Sequence, residues 1–293
     1  MSRFWRFAFL VLGVFACSTA VLQIKASHAH PIVIAAARLT IAAILLAPVA
    51  WRDWRRHAGT FSRRQFRRTT LPALVLAVHF ITWAYGARMT IAAQASLVVN
   101  LAPVAMPFFL HFLIGEKINR AEILGTALAI AGVVVLSARD AVAGGGDVWG
   151  NAVCFGSMLL FALYLALGRR NRDFPSIWLY VVPVYAQAAL ICVLVSIPWI
   201  GAFEASSLRE WSLLFGLAVV PTIIGHSILN NSMRHLRGQI VSLCNVGQFV
   251  FAGVMAFALF RETPTATFYA ASALVVAGVA VVVLAAPPPP RMR

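Results

Sequence analysis

Single polar and aromatic side chains recur at helical spacing inside long apolar stretches of the sequence. His79 and Trp83 are four residues apart, and His226 and Asn230 repeat that spacing. Residues three or four apart share one face of a helix. Such a face combines hydrogen-bonding groups with aromatic surface, which suits a small amphipathic solute. The residues that we predict to bind substrate are His79, Trp83, Ser96, Asn100, Phe161, Tyr164, His226, Asn230 and Gln248.

The same side chains have a second interpretation, because polar groups in membrane helices also bond neighbouring helices as packing contacts. Polar groups are costly inside a membrane and face either a cavity or another helix. Packing is a sufficient explanation for any one of these residues. Polar faces on five separate helices, taken together, favour a cavity.

Four further residues are predicted to act in gating or in helix structure. Arg38 is the only charged side chain well inside an apolar run. Three roles are open to it: it bonds carbonyls at a helix end, it extends to the membrane surface, or it attracts a substrate carboxylate. Pro103 and Pro107 free backbone carbonyls and favour a bend in the fourth helix. Gly247 is the fourth residue of this group.

The elements that carry these residues are apolar enough to be membrane helices. Apolar residues make up 61% of the 293-residue chain and charged residues 11%, against about 45–50% and about 25% in a soluble domain. This composition excludes an ordinary soluble enzyme and predicts an all-α integral membrane protein. A helix needs about 20 apolar residues to cross a bilayer. Ten such runs are present, at 4–27, 32–51, 70–88, 91–114, 120–138, 148–168, 176–200, 211–232, 239–260 and 265–286.

The basic residues predict how these helices are oriented. Lys and Arg number 24, against 9 acidic residues. If the first helix starts in the cytoplasm, 18 basic residues fall in cytoplasmic segments and five in external ones. Cytoplasmic loops of membrane proteins carry such an excess, so both termini are predicted to be cytoplasmic, and nucleic-acid binding is not expected. A cleaved signal peptide is the alternative for the first run, since Arg3 and Arg6 precede it.

The two halves of the sequence are related by a shift of 146 residues. The shift places Glu116 on Glu262 and an Ala-Gly-Val triplet at 131–133 on another at 277–279. Each half then holds five helices, and an odd number inserts the two halves in opposite orientations. Inverted repeats are typical of transporters whose substrate site lies near mid-membrane. The predicted units are a first five-helix repeat at 1–140, a second at 147–286 and a cytoplasmic tail at 287–293.

No catalytic or metal-binding pattern accompanies these helices. The sequence has no P-loop, no HExxH and no GxSxG motif. Its four cysteines lie inside apolar runs without metal-ligand spacing. We therefore predict a protein that is not an enzyme, with no catalytic residue, no metal and no cofactor. The partners expected are a small-molecule substrate and the lipid bilayer.

Several short motifs follow one another in a recognisable order: His30-Pro31 with Arg38, Asn100-Leu101-Ala102-Pro103, Gly115-Glu116-Lys117, Arg261-Glu262 and the two Ala-Gly-Val triplets. In these motifs the whole chain resembles the drug/metabolite transporter superfamily, in particular its ten-helix EamA-type branch. Within that branch it is similar to the YddG-type exporters of amino acids and aromatic metabolites. The family often has proline in the ninth helix where this chain has Gly247, so a bend there has to come from glycine.

The resemblance implies a monomeric secondary exporter in the bacterial inner membrane. Its substrates would be small metabolites, amino acids and aromatic or amphipathic compounds among them, moved by alternating access through a central cavity. Two other functions remain open from the residues alone. One is a passive solute channel, and the other is a membrane assembly protein without a transport cycle.

Overall fold

The computed structural model describes residues 3–90, 95, 98–142, 148–200, 207–260 and 266–285. Within these ranges every regular element is a helix. Ser96 and Glu262 lie outside the described residues, as does the predicted tail at 287–293. The described helices fall into ten successive spans at the positions of the ten apolar runs.

We number the spans in chain order and give the helices of each. Seven of the described spans, 1, 2, 3, 6, 7, 8 and 10, are long and apolar enough to cross a membrane. The bounds are span 1 Arg3–Ser18 with Ala20–Ala26, span 2 Pro31–Arg56, span 3 Arg63–Arg68 with Thr70–Met89, span 4 Ala102–Ile114, span 5 Arg120–Val142, span 6 Val148–Arg170, span 7 Trp178–Ile200, span 8 Leu208–Leu217 with Ala218–His226 and Ser227–His235, span 9 Gly238–Val246 with Gln248–Phe260, and span 10 Ala266–Leu284.

The described helices of spans 4 and 9 are shorter than the apolar runs. The helix of span 4 has Pro103 in its first turn, where the missing N–H of proline costs no hydrogen bond. It ends at Gly115, whose φ of 68° is left-handed and therefore favours glycine. Span 9 is interrupted at Gly247, between two helices of nine and 13 residues.

Span 8 contains a π-helix that the apolar pattern does not predict. It runs from Ala218 to His226 and includes Pro221. Proline has no N–H to donate, so the carbonyl of Leu217, four residues earlier, cannot have an α-helical partner, and the bonding pattern here is the five-residue one of a π-helix. The Thr222 hydroxyl also donates to the Leu217 carbonyl, at 2.7 Å. Widened turns of this kind recur at functional sites.

The packing of span 5 on span 10 reveals how the two halves are related. A Cβ atom at Gly278 would lie 2.5 Å from the carbonyl oxygen of Gly125, and one at Gly132 would lie 2.7 Å from that of Ala271. The 146-residue shift exchanges these two contacts. A step from Gly125 to Gly132 along span 5 corresponds to a step from Gly278 back to Ala271 along span 10. The equivalent helices therefore run antiparallel.

The other contacts between spans keep the same pattern when the halves are exchanged. Span 2 packs against span 7, which is the corresponding helix of the second repeat. Span 3 packs against span 6, and the counterpart of that contact, span 8 against span 1, is also present. The chain is thus an all-α membrane protein whose ten described spans are arranged as two inverted five-helix repeats.

Polar contacts between the connecting segments distinguish two sides of the bundle. Spans 2, 4, 6 and 8 end at the side that we call the arginine-rich side, which carries the predicted cytoplasmic arginines. There Arg68 bonds both carboxylate oxygens of Asp173, at 2.7 and 2.8 Å. At the opposite side Glu210 accepts hydrogen bonds from the Ser27 hydroxyl at 2.7 Å and the His28 N–H at 3.1 Å.

Candidate functional site: a central cavity

A small cavity of about 50 Å³ lies between spans 1, 2, 3, 4, 6, 8 and 9. Small-molecule sites usually have about 300–1,000 Å³, so a solute of that size requires the helices around this cavity to move apart. The interruptions of span 1, span 8 and span 9 all lie at or beside its wall. Six of the nine predicted substrate-binding residues line it, namely His79, Trp83, Asn100, Phe161, His226 and Gln248.

Arg38 of span 2 is part of the cavity wall and only 2% exposed. Its Nε atom donates to the Thr222 hydroxyl at 2.9 Å. Its guanidinium carbon lies 3.9 Å from the centre of the Phe80 ring, which adds a cation–π contact. The π-helix of span 8 places Thr222 opposite span 2, so the irregular turn fixes the position of this arginine. Burial excludes the alternative in which Arg38 extends to the membrane surface.

Two histidines from the two halves of the chain face each other across the cavity. The ring centres of His79 and His226 are 6.4 Å apart. Phe161 contacts both, stacked on His79 at 5.1 Å and edge-on to His226 at 5.7 Å. The Nδ1 atom of His79 lies 2.9 Å from the Ser157 hydroxyl, which ties this imidazole to span 6.

Several buried polar atoms of the cavity wall have no hydrogen-bond partner among the described residues. They belong to three different spans: Nη2 of Arg38, both side-chain amide atoms of Asn100, and Nδ1 of His226. An unmet buried donor or acceptor costs about 1–3 kcal/mol. A solute with a polar head that bonds these atoms would remove that cost.

Tyr164 and Asn230 form a layer next to the cavity, towards the arginine-rich side. Asn230 donates to the Tyr164 hydroxyl at 2.7 Å and to the His226 carbonyl at 2.8 Å. Both side chains are buried, with exposures of 0% and 1%. These two predicted binding residues are close to His226 but are not in the cavity wall. They hold spans 6 and 8 together below it.

An ionic cluster lies beyond this layer, at the arginine-rich side itself. Glu116 accepts hydrogen bonds from Arg169 Nε and from the Gly238 N–H, both at 3.1 Å. Glu122 accepts from Arg237 Nε at 2.5 Å, and this hydrogen bond raises the pKa of Arg237. We call Glu116, Glu122, Arg169 and Arg237 the ionic cluster. It joins spans 4 and 5 to spans 6 and 9, so the bundle is closed at this side.

A family model of the EamA-like transporter family matches the chain twice, at residues 4–138 and 148–284. The chain belongs to the EamA-like transporter family. The two matches coincide with the two inverted repeats, so each repeat is one EamA unit.

Relatives of this EamA-like protein are named as transporters. It is 26% identical to an uncharacterized transporter of Archaeoglobus fulgidus over 226 residues, which cover 74% of this chain and 78% of that one. It is 21% identical to the pseudopaline exporter CntI of Pseudomonas aeruginosa, over 75% and 76% of the two chains. It is 23% identical to the mouse solute carrier family 35 member G1, over 88% and 72%. A crystal structure with 21% identity matches its fold with a TM-score of 0.78, over 97% of this chain and 98% of that one.

The two prolines of span 4 have a definite structural consequence in this EamA-like bundle. Pro107 has no N–H, so the carbonyl of Pro103 loses its helical partner. The Gln239 amide of span 9 donates to that carbonyl at 2.9 Å and to the Thr126 hydroxyl at 2.8 Å. One side chain therefore connects spans 4, 5 and 9.

The cavity wall also contains residues that the sequence does not single out. Phe80 follows His79 directly, outside the four-residue spacing of the polar face. Cys17 and Ser18 come from span 1, which is not among the helices with a predicted polar face. The repeat provides the signal that would have found span 1, because it is the equivalent of span 6, and span 6 supplies Phe161.

Proposed function

We propose that this protein exports small amphipathic metabolites, amino acids and their derivatives among them, by alternating access through the central cavity. The observation that carries the proposal is the set of unpartnered polar atoms on Arg38, Asn100 and His226, gathered in one cavity with the Trp83 and Phe161 rings. Such a wall suits a solute with a polar head and an apolar or aromatic body.

The closure of the bundle supports alternating access. The cavity wall includes residues from the middle of the spans and from the half that is farther from the arginine-rich side. Trp83 of span 3 and Ala252 of span 9 are examples of the second group. The Tyr164–Asn230 layer and the ionic cluster lie on the arginine-rich side of it. A state closed at one side, in a fold of two inverted repeats, has a natural counterpart that is closed at the other.

The distribution of basic residues assigns the closed side to the cytoplasm. Both termini are then cytoplasmic, and the membrane is the bacterial inner membrane. The two repeats, at 1–140 and 147–286, are the units that move against each other. Export is the direction named for the relative CntI, and no driving residue beyond the solute gradient is needed for it.

Flux measurements in proteoliposomes separate a carrier from the two alternative functions. Purified protein is reconstituted and preloaded with one labelled solute at a time, from a panel of amino acids and their N-acyl and amide derivatives. Saturable efflux that an unlabelled solute accelerates from the other side indicates a carrier. Flux that does not saturate indicates a channel, and no flux for any solute favours the assembly protein.

Substitutions in the cavity wall connect the flux to this site. His79→Ala and Trp83→Ala should reduce efflux strongly, since each removes wall surface that a solute would contact, and Tyr164→Ala should open the layer below it. Ile123→Ala in span 5 is the matched control, because Ile123 is 53% exposed on the surface of the bundle. Equal losses in the wall variants and in Ile123→Ala would contradict the assignment of the cavity.

A further inference from the structure

The central cavity has a positive charge for which the described structure offers no counter-charge. Arg38 is buried in its wall, and the described lining contains neither Asp nor Glu. Thr222 and Phe80 contact the guanidinium but are neutral. Nη2 of Arg38 has no partner among the described residues.

The carboxylates whose side chains the structure describes are all engaged elsewhere. Each lies near an end of a span and has a polar partner there, well away from the cavity wall: Asp53 with Ser176, Glu116 with Arg169, Glu122 with Arg237, Asp173 with Arg68 and Glu210 with Ser27. None of them is placed to receive the ammonium group of a bound solute.

The donors of the cavity wall favour an acceptor with negative charge. A guanidinium offers N–H groups in a planar fork that matches a carboxylate, and charge-assisted hydrogen bonds of this kind are the strong ones. Asn100, in the same cavity wall, contributes an amide that can also donate. A single arginine balances the one charge of a carboxylate, whereas a phosphate monoester would bring close to two negative charges.

We propose that the cavity selects solutes with a net negative charge, in which a carboxylate binds Arg38 and an apolar or aromatic group lies against Trp83, Phe161 and Phe249. Amino acids whose amino group is acylated, and oxo acids with an apolar side chain, belong to this class. A free amino acid meets no described carboxylate for its ammonium group and is the poorer substrate. This inference rests on the proposed function and names the substrate class of the same cavity.

Four probes that share one phenyl group test the charge requirement. They are N-acetyl-L-phenylalanine, an anion at pH 7; L-phenylalanine, a zwitterion; L-phenylalaninamide, a cation; and phenyl phosphate. Efflux from proteoliposomes and binding to the purified protein are both measured. We expect N-acetyl-L-phenylalanine to have a KM and a Kd at least tenfold lower than those of the other three.

Variants of Arg38 separate charge recognition from a structural role. Arg38→Gln should raise the KM and Kd for N-acetyl-L-phenylalanine about ten- to hundredfold and at the same time improve those for L-phenylalaninamide. If Arg38 had only a structural role, Arg38→Gln would raise the KM and Kd of both probes together. Arg38→Lys keeps the positive charge but lacks the planar N–H groups of the guanidinium. This variant should still bind the anion more tightly than the cation, and it replaces Arg38→Gln in the test if Arg38→Gln does not fold. Arg52→Gln, at an exposed side chain, is the matched control and should change neither probe.

Each outcome decides the proposal. Saturable flux of L-phenylalanine that Arg38→Gln leaves unchanged would overturn the anionic class while the exporter function stands. Tighter binding of phenyl phosphate would overturn the carboxylate. If no probe crosses the membrane, the proposed function fails, and the binding measurements still test whether Arg38 selects anions.

Discussion

Removing the charge of Glu116 should open the arginine-rich side of the bundle. Glu116 accepts hydrogen bonds from Arg169 Nε and the Gly238 N–H, both at 3.1 Å. Its side chain is 12% exposed and that of Arg169 9%, so solvent screens these bonds only partly. In Glu116→Gln the acceptor of both bonds loses its charge, which weakens each bond by about 1 kcal/mol. Two bonds amount to about 2 kcal/mol, or about a thirtyfold larger population of the form open at this side.

Cysteine labelling measures that population. Cys244 is 7% exposed in span 9, one turn from Gln248 towards the arginine-rich side. In a chain that keeps Cys244 and has Ala at Cys17, Cys154 and Cys192, a membrane-impermeant maleimide is added to inside-out vesicles. We expect labelling of Cys244 to be about thirtyfold faster in Glu116→Gln, because the labelling rate follows the open population when opening is rapid.

A matched carboxylate at the same side provides the control. Asp173 bonds Arg68 at 2.7 Å, but its side chain is 56% exposed, and exposed pairs contribute about 1 kcal/mol or less. Asp173→Asn should therefore change the labelling rate by less than about fivefold. An unchanged rate in Glu116→Gln, or an equal increase in Asp173→Asn, would refute the view that the ionic cluster keeps this side closed.

Three further predictions concern stability. Gly278→Leu should lower the melting temperature, because overpacking against the Gly125 carbonyl costs about 1–3 kcal/mol, whereas Gly156→Ala, with nothing within 4 Å of the added Cβ, should not. Gln239→Leu should destabilise the fold by about 1–3 kcal/mol, because it leaves the Pro103 carbonyl without a partner. The hydrogen bond from Arg68 lowers the pKa of Asp173, so this carboxylate stabilises the fold above the ordinary Asp pKa and ceases to do so as the pH falls through the lowered one. Melts between about pH 5 and 3 should then show a smaller loss of stability for Asp173→Asn than for the parent; parallel curves would contradict it.

The number of helices and their inverted arrangement were predictable, because both depend on local properties of the sequence. Apolar runs of about 20 residues mark each span, and the 146-residue shift reveals the repeat. The wall of the cavity was predictable in part for the same reason. His79 with Trp83 has the spacing of one helix face, and this face does line the cavity.

What the sequence did not predict depends on contacts between distant residues. Proline at position 107 predicts that the Pro103 carbonyl loses its helical partner, but only the fold identifies Gln239 as the group that replaces it. The same holds for Arg38, whose partner Thr222 is 184 residues away. Helical spacing within one span placed Tyr164 and Asn230 with the cavity residues, and only their mutual hydrogen bond at 2.7 Å places them in the layer below.

The fold is symmetric between its halves, but the chemistry of the cavity is not. The 146-residue shift places His79 next to His226, so each half supplies one imidazole at nearly equivalent positions. It places Arg38 on Val184, which is apolar and fully buried. If the two repeats exchanged conformations, the cavity would open at the other side of the membrane. Arg38 would still be its cation, because Val184 cannot take that role. A carboxylate bound to Arg38 would keep the same partner in both states, and only its access to the two sides of the membrane would change.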